Sequence, residues 1–177
     1  YFTDLTAALD AIPNEEVIFI AHSTGGLIAP LWMDHLRRTD QERHQRLAGL
    51  ILNSPWLDMM GVPGQILTPL KPLLYTLGRI APMTPLPGGN LTAYGESVHR
   101  DFYGDWDFDL RFKPLAGHKK YVGWIAAVFH GFDAIHSGRV DAGVPILTLQ
   151  STRTLLGQPY SDSVNHADVI IDVAQTR

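Results

Sequence analysis

The sequence contains no cysteine among its 177 residues, which excludes a disulfide framework, a thiol nucleophile and a cysteine-ligated zinc site. A chain without cysteine fits a reducing compartment, so we expect a cytoplasmic protein. Long apolar runs are also missing, because stretches such as Val17–Ala21 and Trp124–Phe129 are far shorter than the roughly 20 residues that cross a bilayer. We therefore expect no membrane span, and the first residues show no signal-peptide pattern.

An excess of basic residues is lacking as well. Fourteen Lys and Arg face eighteen Asp and Glu, a formal charge of −4, so whole-chain electrostatics offers no attraction to nucleic acid or to an anionic membrane. Metal and phosphate sites find no support either, because His130 and His136 do not share a helix face and Gly25-Gly26 is not followed by the Lys of a phosphate-binding loop. We expect neither a metal nor another cofactor.

Three short apolar runs predict the strands of the fold. Val17–Ala21 is continuously apolar and β-branched, which is typical of a strand covered on both faces in a parallel sheet. Leu47–Asn53 and Val144–Gln150 predict two further buried strands. Residues 3–12 and 27–36 have apolar residues at helical spacing. This alternation predicts an α/β fold with a parallel sheet flanked by helices.

A different kind of sequence separates the second and third strands. Residues 61–116 hold seven of the twelve prolines and many aromatic residues, which predicts a cap over a pocket; an irregular connection without a binding role is the alternative. We therefore predict one domain, with core at 1–60 and 117–177 and a cap at 61–116. Because a strand covered on both faces needs neighbours on each side, we expect an interior piece of a larger fold, incomplete at both ends.

One segment carries the chemistry. Ala21-His22-Ser23-Thr24-Gly25-Gly26 stands between a strand and a helix, which is the setting of a nucleophile elbow. A serine on such a sharp turn needs small residues two positions before and after it, and Ala21 and Gly25 meet that need. The N–H of Thr24 would donate to an oxyanion at the helix N-terminus. The alternative is an ordinary junction with a capping serine.

On these residues the chain resembles the α/β-hydrolase superfamily, in particular its lysophospholipase, monoacylglycerol lipase and serine aminopeptidase branch. The strand that ends in Leu52-Asn53-Ser54-Pro55-Trp56 and the strand Val144–Leu149 support the same resemblance. The elbow has Ala21 where the family more often has glycine. The resemblance implies an α/β-hydrolase fold and a triad in the order serine, acid, histidine.

The resemblance also implies an acid after the third strand. Asp168-Val169-Ile170-Ile171-Asp172 fits the family's acid turn, so Asp168 is the implied triad acid, with Asp162 and Asp172 as alternatives. It further implies a histidine on a loop after one more strand. No histidine follows Asp168 in this sequence, and none of the eight present is a convincing substitute, so we expect the 177-residue chain alone to be inactive.

These residues predict a serine hydrolase of carboxylic esters that acts through an acyl-enzyme on Ser23. The substrate would be a small ester or lipid or, as an alternative, a peptide N-terminus. Trp56 would line the substrate pocket. The equally weighted alternative is a tryptophan of the hydrophobic core without a role in binding. Another possibility is a catalytically incomplete fragment or a non-catalytic binding protein of the same fold. A dehalogenase or epoxide hydrolase would need a carboxylate where Ser23 stands. The sequence leaves the oligomeric state open.

Overall fold

The computed structural model describes residues 1–59, 61, 64–87 and 91–174, which form two compact units. The first unit contains residues 1–58 and 130–150, and the second contains residues 59–129 and 151–174. All described residues of the predicted cap fall in the second unit. Residues 62, 63 and 88–90 of that cap lie outside the described residues.

Six helices and five strands follow one another along the described chain, with a single 3₁₀ turn near its end. Their order is α1 (Phe2–Ala11), β1 (Val17–His22), α2 (Thr24–Thr39), α3 (Gln41–His44), β2 (Leu47–Asn53), α4 (Gly64–Ile80), β3 (Pro85–Leu86), α5 (Thr92–Val98), β4 (Lys120–Tyr121), α6 (Val122–His136), β5 (Ile146–Leu149) and the 3₁₀ turn Asp162–His166.

A three-stranded parallel sheet organises the first unit. Its strand order is β1-β2-β5, and both neighbouring pairs run parallel. The predicted parallel sheet is therefore confirmed, and β2 begins and ends where the sequence predicts. Because all strands point the same way, their carboxyl ends lie along one edge of the sheet, where open α/β sheets bind ligands.

The core of the first unit covers only one face of β1. Ala21 packs with Leu9 of α1 and Trp32 of α2 in one buried cluster. On the opposite face Ile18 and Ile20 are 62% and 68% exposed, and all four residues of β5 are exposed. The expectation that β1 is covered on both faces is thus wrong for the described chain, because α1 and α2 pack on one side only.

The arginines at the end of α2 and after it are bound to acceptors. Arg38 pairs with Asp34 within α2 at 2.9 Å. Arg43 of α3 bonds Asp10 at 2.8 Å, and Arg46 donates to the carbonyl of Leu9 at 3.1 Å. The last two contacts fasten α3 and the residues after it to α1.

In the second unit, α4 packs against α6 and a two-stranded antiparallel sheet joins β3 to β4. A Cβ atom at Gly78 would lie 2.6 Å from Cβ of Ala126, so only glycine allows α4 to approach α6 this closely. The rings of Tyr103 and Tyr160 stack with centroids 3.7 Å apart. None of the described helices has the length and hydropathy that crossing a membrane requires.

Candidate active site

The turn between β1 and α2 holds Ser23 in a strained backbone conformation. The strand ends at His22 and the helix begins at Thr24, so a single residue makes the whole turn. Its φ of 54° and ψ of −119° lie outside the regions that L-residues populate freely. Such strain persists only where the surrounding structure enforces it, and it concentrates at functional sites. This geometry is the one expected of a serine raised above the sheet edge on a nucleophile elbow.

Two backbone hydrogen bonds enforce the strained turn. The N–H of Ser23 donates to the carbonyl of Asn53 at 3.2 Å, and the carbonyl of Ser23 accepts the N–H of Trp56 at 2.9 Å. The segment after β2 therefore holds the serine on both sides of its Cα atom. Ser54, within that segment, also has a positive φ of 45°, and its N–H donates to the carbonyl of Leu149 at 2.8 Å. The ends of all three strands are joined at this point.

The two glycines of the elbow have different environments. A Cβ atom at Gly26 would lie 2.5 Å from Cβ of Pro55, whereas one at Gly25 would lie 3.7 Å from Cβ of Ala21. Contacts under 3.0 Å are not tolerated without displacement, and 3.7 Å is ordinary van der Waals contact. The helix can therefore approach the β2 end only through Gly26. Gly25 faces Ala21, as the sequence predicts for the small pair around Ser23.

His22 contributes a contact that the sequence analysis does not predict. Its Nδ1 lies 2.9 Å from the carbonyl oxygen of Asn53, and because a carbonyl can only accept, Nδ1 carries the hydrogen. Asn53 is the register partner of His22 in the parallel pair. The two strand ends in the sequence are enough to predict that these residues lie side by side. They do not predict the side-chain contact.

Ser23 lies directly before the first residue of α2. Among residues 1–58 and 130–150 of the described chain, no hydrogen bond reaches its Oγ. Thr24 is the first residue of a helix of 16 residues, where the leading N–H groups have no acceptor within the helix. The partial positive charge of the helix N-terminus favours an anion there. Ser23 Oγ and Thr24 N–H are thus adjacent by chain geometry, as an acyl-transfer site requires.

The side chain of Trp56 lies in the core of the first unit. It is buried, and its ring contacts that of Phe132 edge to face with centroids 5.3 Å apart. This packing agrees with the alternative interpretation of Trp56 as a plain core residue. The predicted pocket role of Trp56 stays a prediction. Its backbone N–H is what contacts the elbow.

Asp168 lies in the second unit, on a turn that fixes its carboxylate. Oδ1 accepts the N–H of Ile170 at 2.9 Å and of Ile171 at 2.7 Å. Its own N–H donates to the carbonyl of Arg153 at 2.9 Å, and its carbonyl accepts the N–H of Leu155 at 2.7 Å. One carboxylate oxygen is therefore used to set the orientation of the group. Asp168 has the fixed placement that an orienting acid needs.

The alternative acids are held less firmly. Asp172 accepts one N–H, from Ala174, at 3.1 Å. Asp162 is exposed in the first turn of the 3₁₀ segment. The identity of the triad acid stays a prediction, and the local geometry favours Asp168. Within the part of the chain that the structure describes, no cluster of three His, Cys, Asp or Glu residues could hold a metal ion.

The parallel sheet and the strained serine at a strand-to-helix turn agree with an α/β-hydrolase fold. The chain belongs to the family described as "Serine aminopeptidase, S33", whose model matches residues 1–163. Comparison with curated proteins finds no match.

Among solved structures the chain is similar to a monoacylglycerol lipase from Paleococcus ferrophilus, with a TM-score of 0.58 and 20% sequence identity. The match covers 86% of this chain and 53% of the lipase, so the chain spans about half the length of that structure. The similarity confirms the α/β-hydrolase fold.

Proposed function

We propose that this protein is a serine hydrolase of carboxylic esters with Ser23 as its nucleophile. The observation that carries the proposal is the backbone of Ser23, with φ 54° and ψ −119° at a one-residue turn between strand and helix. An ordinary helix-capping serine has an extended backbone and a side chain that accepts an N–H of the first turn. Ser23 has neither feature, since it forms no side-chain cap.

The reaction follows from the atoms at the turn. Ser23 Oγ attacks the carbonyl carbon of the ester while a base takes the hydroxyl proton. Thr24 N–H donates to the oxygen, which becomes negatively charged in the tetrahedral intermediate. The intermediate collapses, the alcohol leaves with the proton, and an acyl ester remains on Ser23. Water then attacks that ester, which releases the acid and restores the hydroxyl.

Asp168 is the proposed orienting acid for the histidine base. Oδ1 is fixed by two backbone N–H groups, which would leave Oδ2 to accept the Nδ1–H of an imidazole. A carboxylate in that place holds the ring in the required tautomer and stabilises the imidazolium that forms during attack. The family resemblance supplies the expectation of such a histidine, and the proposal requires one in the protein that carries out the reaction.

Apolar side chains in the first part of the predicted cap favour an ester or lipid as substrate. A peptide N-terminus carries an ammonium group, which needs a carboxylate or carbonyl partner when it is desolvated. Residues 61–95 are rich in apolar side chains and contain no Asp or Glu, whereas the five acidic residues of the cap lie in 96–116. The similar solved structure is a monoacylglycerol lipase, which agrees with an ester of apolar acyl character.

Hydrolysis of p-nitrophenyl esters by the protein from its native source tests the proposal. We expect Ser23→Ala to lower kcat by roughly 10⁴-fold or more, because the nucleophile itself is removed. Ser54→Ala is the matched control, since Ser54 is also half-buried, also has a positive φ and lies in the segment that contacts the elbow. It should keep kcat within about threefold, a change below 1 kcal/mol.

Equal activity of Ser23→Ala and the wild type would overturn the assignment of the nucleophile. If the wild type shows no turnover but binds an ester analogue, the result would instead favour a non-catalytic binding protein of the same fold.

A further inference from the structure

Thr154 lies opposite Asp168 in the second unit. The two residues form an isolated parallel β-bridge, and the backbone hydrogen bonds of this bridge lie on either side of Thr154. The N–H of Leu155 donates to the carbonyl of Asp168 at 2.7 Å, and the N–H of Asp168 donates to the carbonyl of Arg153 at 2.9 Å. The backbone around Thr154 therefore holds the start of the turn that carries the proposed acid.

The side chain of Thr154 holds the other end of the same turn. Its hydroxyl donates to the carbonyl of Ile171 at 3.1 Å and accepts the N–H of Val173 at 2.9 Å. A threonine hydroxyl has one hydrogen to donate and lone pairs that accept, so both bonds form at once. One residue thus bridges the turn 168–173, with its backbone at the beginning of the turn and its side chain at the end.

Ile171 connects the hydroxyl of Thr154 to the carboxylate of Asp168. The N–H of Ile171 donates to Oδ1 of Asp168 at 2.7 Å, while its carbonyl accepts the hydroxyl of Thr154. These two contacts fix the peptide groups on both sides of the Cα atom of Ile171. A shift of this residue would turn the carboxylate of Asp168, and with it the oxygen Oδ2 that the proposed mechanism leaves for the imidazole.

Water is a poor replacement for the hydroxyl of Thr154. Ile171 is only 3% exposed, and backbone groups in such places need a partner within the protein. A buried carbonyl that loses its donor is costly to leave as it is. Without the hydroxyl, the turn would therefore move to satisfy the carbonyl of Ile171, and Asp168 lies at the beginning of that turn.

The parallel sheet does not set the position of Asp168 directly. Strand β5 ends at Leu149, and residues 150–167 separate it from Asp168. The 3₁₀ turn Asp162–His166 also ends before this residue, and Ala167 after it has an extended backbone. The placement of Asp168 therefore depends on local contacts, and those to Thr154 join both ends of its turn.

We propose that Thr154 is a positioning residue for the triad acid, which it holds through the turn 168–173. The inference rests on the proposed function, because Thr154 matters for catalysis only if Asp168 is the orienting acid. In this role Thr154 acts through Asp168 and takes no part in proton transfer. Its hydroxyl sets the direction in which Asp168 presents Oδ2, and a misplacement of about 1 Å in such a site can cost about 100-fold in rate.

Hydrolysis of p-nitrophenyl esters by the protein from its native source tests this role. Thr154→Val keeps the shape of the side chain and removes the hydroxyl, so we expect kcat to fall by about 10- to 100-fold. KM should stay within about threefold of the wild type, because the acid acts on the chemical step. Thr154→Ser retains the hydroxyl and should restore kcat to within about threefold of the wild type. Circular dichroism establishes that each variant is folded.

A double-mutant cycle separates positioning from a merely structural contribution. Asp168→Asn removes the acid and should lower kcat by about 10³-fold or more. If Thr154 acts through Asp168, adding Thr154→Val to that variant should lower kcat by less than about threefold. A structural defect would instead multiply the two losses.

Thr39→Val is the matched control. Thr39 is exposed at the end of α2, and its hydroxyl donates to the carbonyl of His35 at 2.8 Å. The substitution removes the same kind of bond from a place outside the acid turn, so kcat should stay within about threefold of the wild type. If Thr154→Val does not fold, Thr154→Cys takes its place. A thiol is a weaker donor and acceptor than a hydroxyl, so kcat should then fall by about three- to tenfold.

Four results would overturn the inference. The first is wild-type kcat in the folded Thr154→Val or Thr154→Cys variant, and the second is an equal loss in Thr154→Ser and Thr154→Val. The third is a full additional loss when Thr154→Val is combined with Asp168→Asn. The fourth is retained activity of Asp168→Asn, which would also overturn the assignment of the acid. Failure of the proposed function is distinguishable, because Ser23→Ala would then be as active as the wild type.

Discussion

The elbow around Ser23 and the helix α4 show two opposite ways of presenting a surface. At the elbow, backbone hydrogen bonds from the end of β2 and the close approach of Gly26 to Pro55 hold the backbone of Ser23 in a strained conformation. In α4, the side chains of Ile66, Leu70, Leu73, Leu77 and Ile80 form an apolar stripe, and each of them is between 37% and 73% exposed. The strained turn supports the role proposed for Ser23, and the exposed apolar surface is of the kind that a partner would cover.

The most disruptive change should be a single methyl group at the elbow. Gly26→Ala would place its Cβ atom 2.5 Å from that of Pro55, so we expect the free energy of unfolding to fall by about 2–3 kcal/mol. The loss should be visible as a lower midpoint in urea unfolding with an unchanged m-value.

Gly25→Ala is the control for that variant. Its Cβ atom would have ordinary contact with Ala21 at 3.7 Å, and alanine favours a helix over glycine by about 0.5–1 kcal/mol. It should therefore be neutral or slightly stabilising. Equal destabilisation by both alanines would contradict the close approach at Gly26.

The far half of α2 should depend on charge instead of close approach. Burial opposes ionisation of Asp34, but hydrogen bonds from the N–H of Asp141 and from Arg38 and Arg37 outweigh it and lower the pKa of this carboxyl below its usual value. Asp34→Asn should therefore lower the free energy of unfolding near neutral pH by about 1–2 kcal/mol.

The same shift predicts the pH dependence of stability. A carboxyl whose pKa is lower in the folded state contributes its stabilisation above its usual pKa and loses it as the pH falls through the folded value. We expect the stability difference between wild type and Asp34→Asn to shrink below about pH 4. Urea unfolding at a series of pH values measures this difference in the free energy of unfolding. A difference that stays constant from neutral pH to pH 3 would contradict a stabilising role for the ionised carboxylate of Asp34.

A side-chain change at Thr24 should have little effect on the reaction. The proposed oxyanion donor is the backbone N–H, which Thr24→Ala retains, so kcat for ester hydrolysis should stay within about threefold of wild type. A loss of a hundredfold would show that the threonine hydroxyl takes part, and the elbow would then present two side chains instead of one.

The smallest effect on stability is expected in the stripe of α4. Leu73 is 59% exposed, so Leu73→Gln should change the free energy of unfolding by less than about 0.5 kcal/mol. A loss of 2 kcal/mol or more in urea unfolding would show that the side chain is buried in the folded protein. The comparison between a rigid elbow and an open helix face would then fail.

Sequence patterns predicted the strand-to-helix turn at Ser23 and the parallel sheet because both depend on local signals. Small residues around Ser23 and continuous apolar strands are visible in the chain itself. The burial of β1 could not be predicted this way, because the apolar residues Ile18 and Ile20 look the same in sequence whether or not another layer covers them. The family match to residues 1–163 agrees with the resemblance that the elbow motif suggested.

Three other features were beyond sequence reasoning. Pro69 and Pro72 concealed the helix α4, because proline usually ends a helix. The bond between Arg43 and Asp10 joins residues 33 positions apart, so it depends on how α1 and α3 are placed in the fold. The contact of His22 with Asn53 likewise needed the register of the sheet.

The most direct test of the nucleophile is peptide mapping after reaction with a fluorophosphonate. Residues 1–37 contain one serine, Ser23, and no trypsin site before Arg37, so fragmentation of the peptide that ends at Arg37 locates an adduct on Ser23. The account predicts, for the protein from its native source, one adduct at Ser23 that is absent in Ser23→Ala. An adduct at another serine, or equal labelling of the alanine variant, would contradict it.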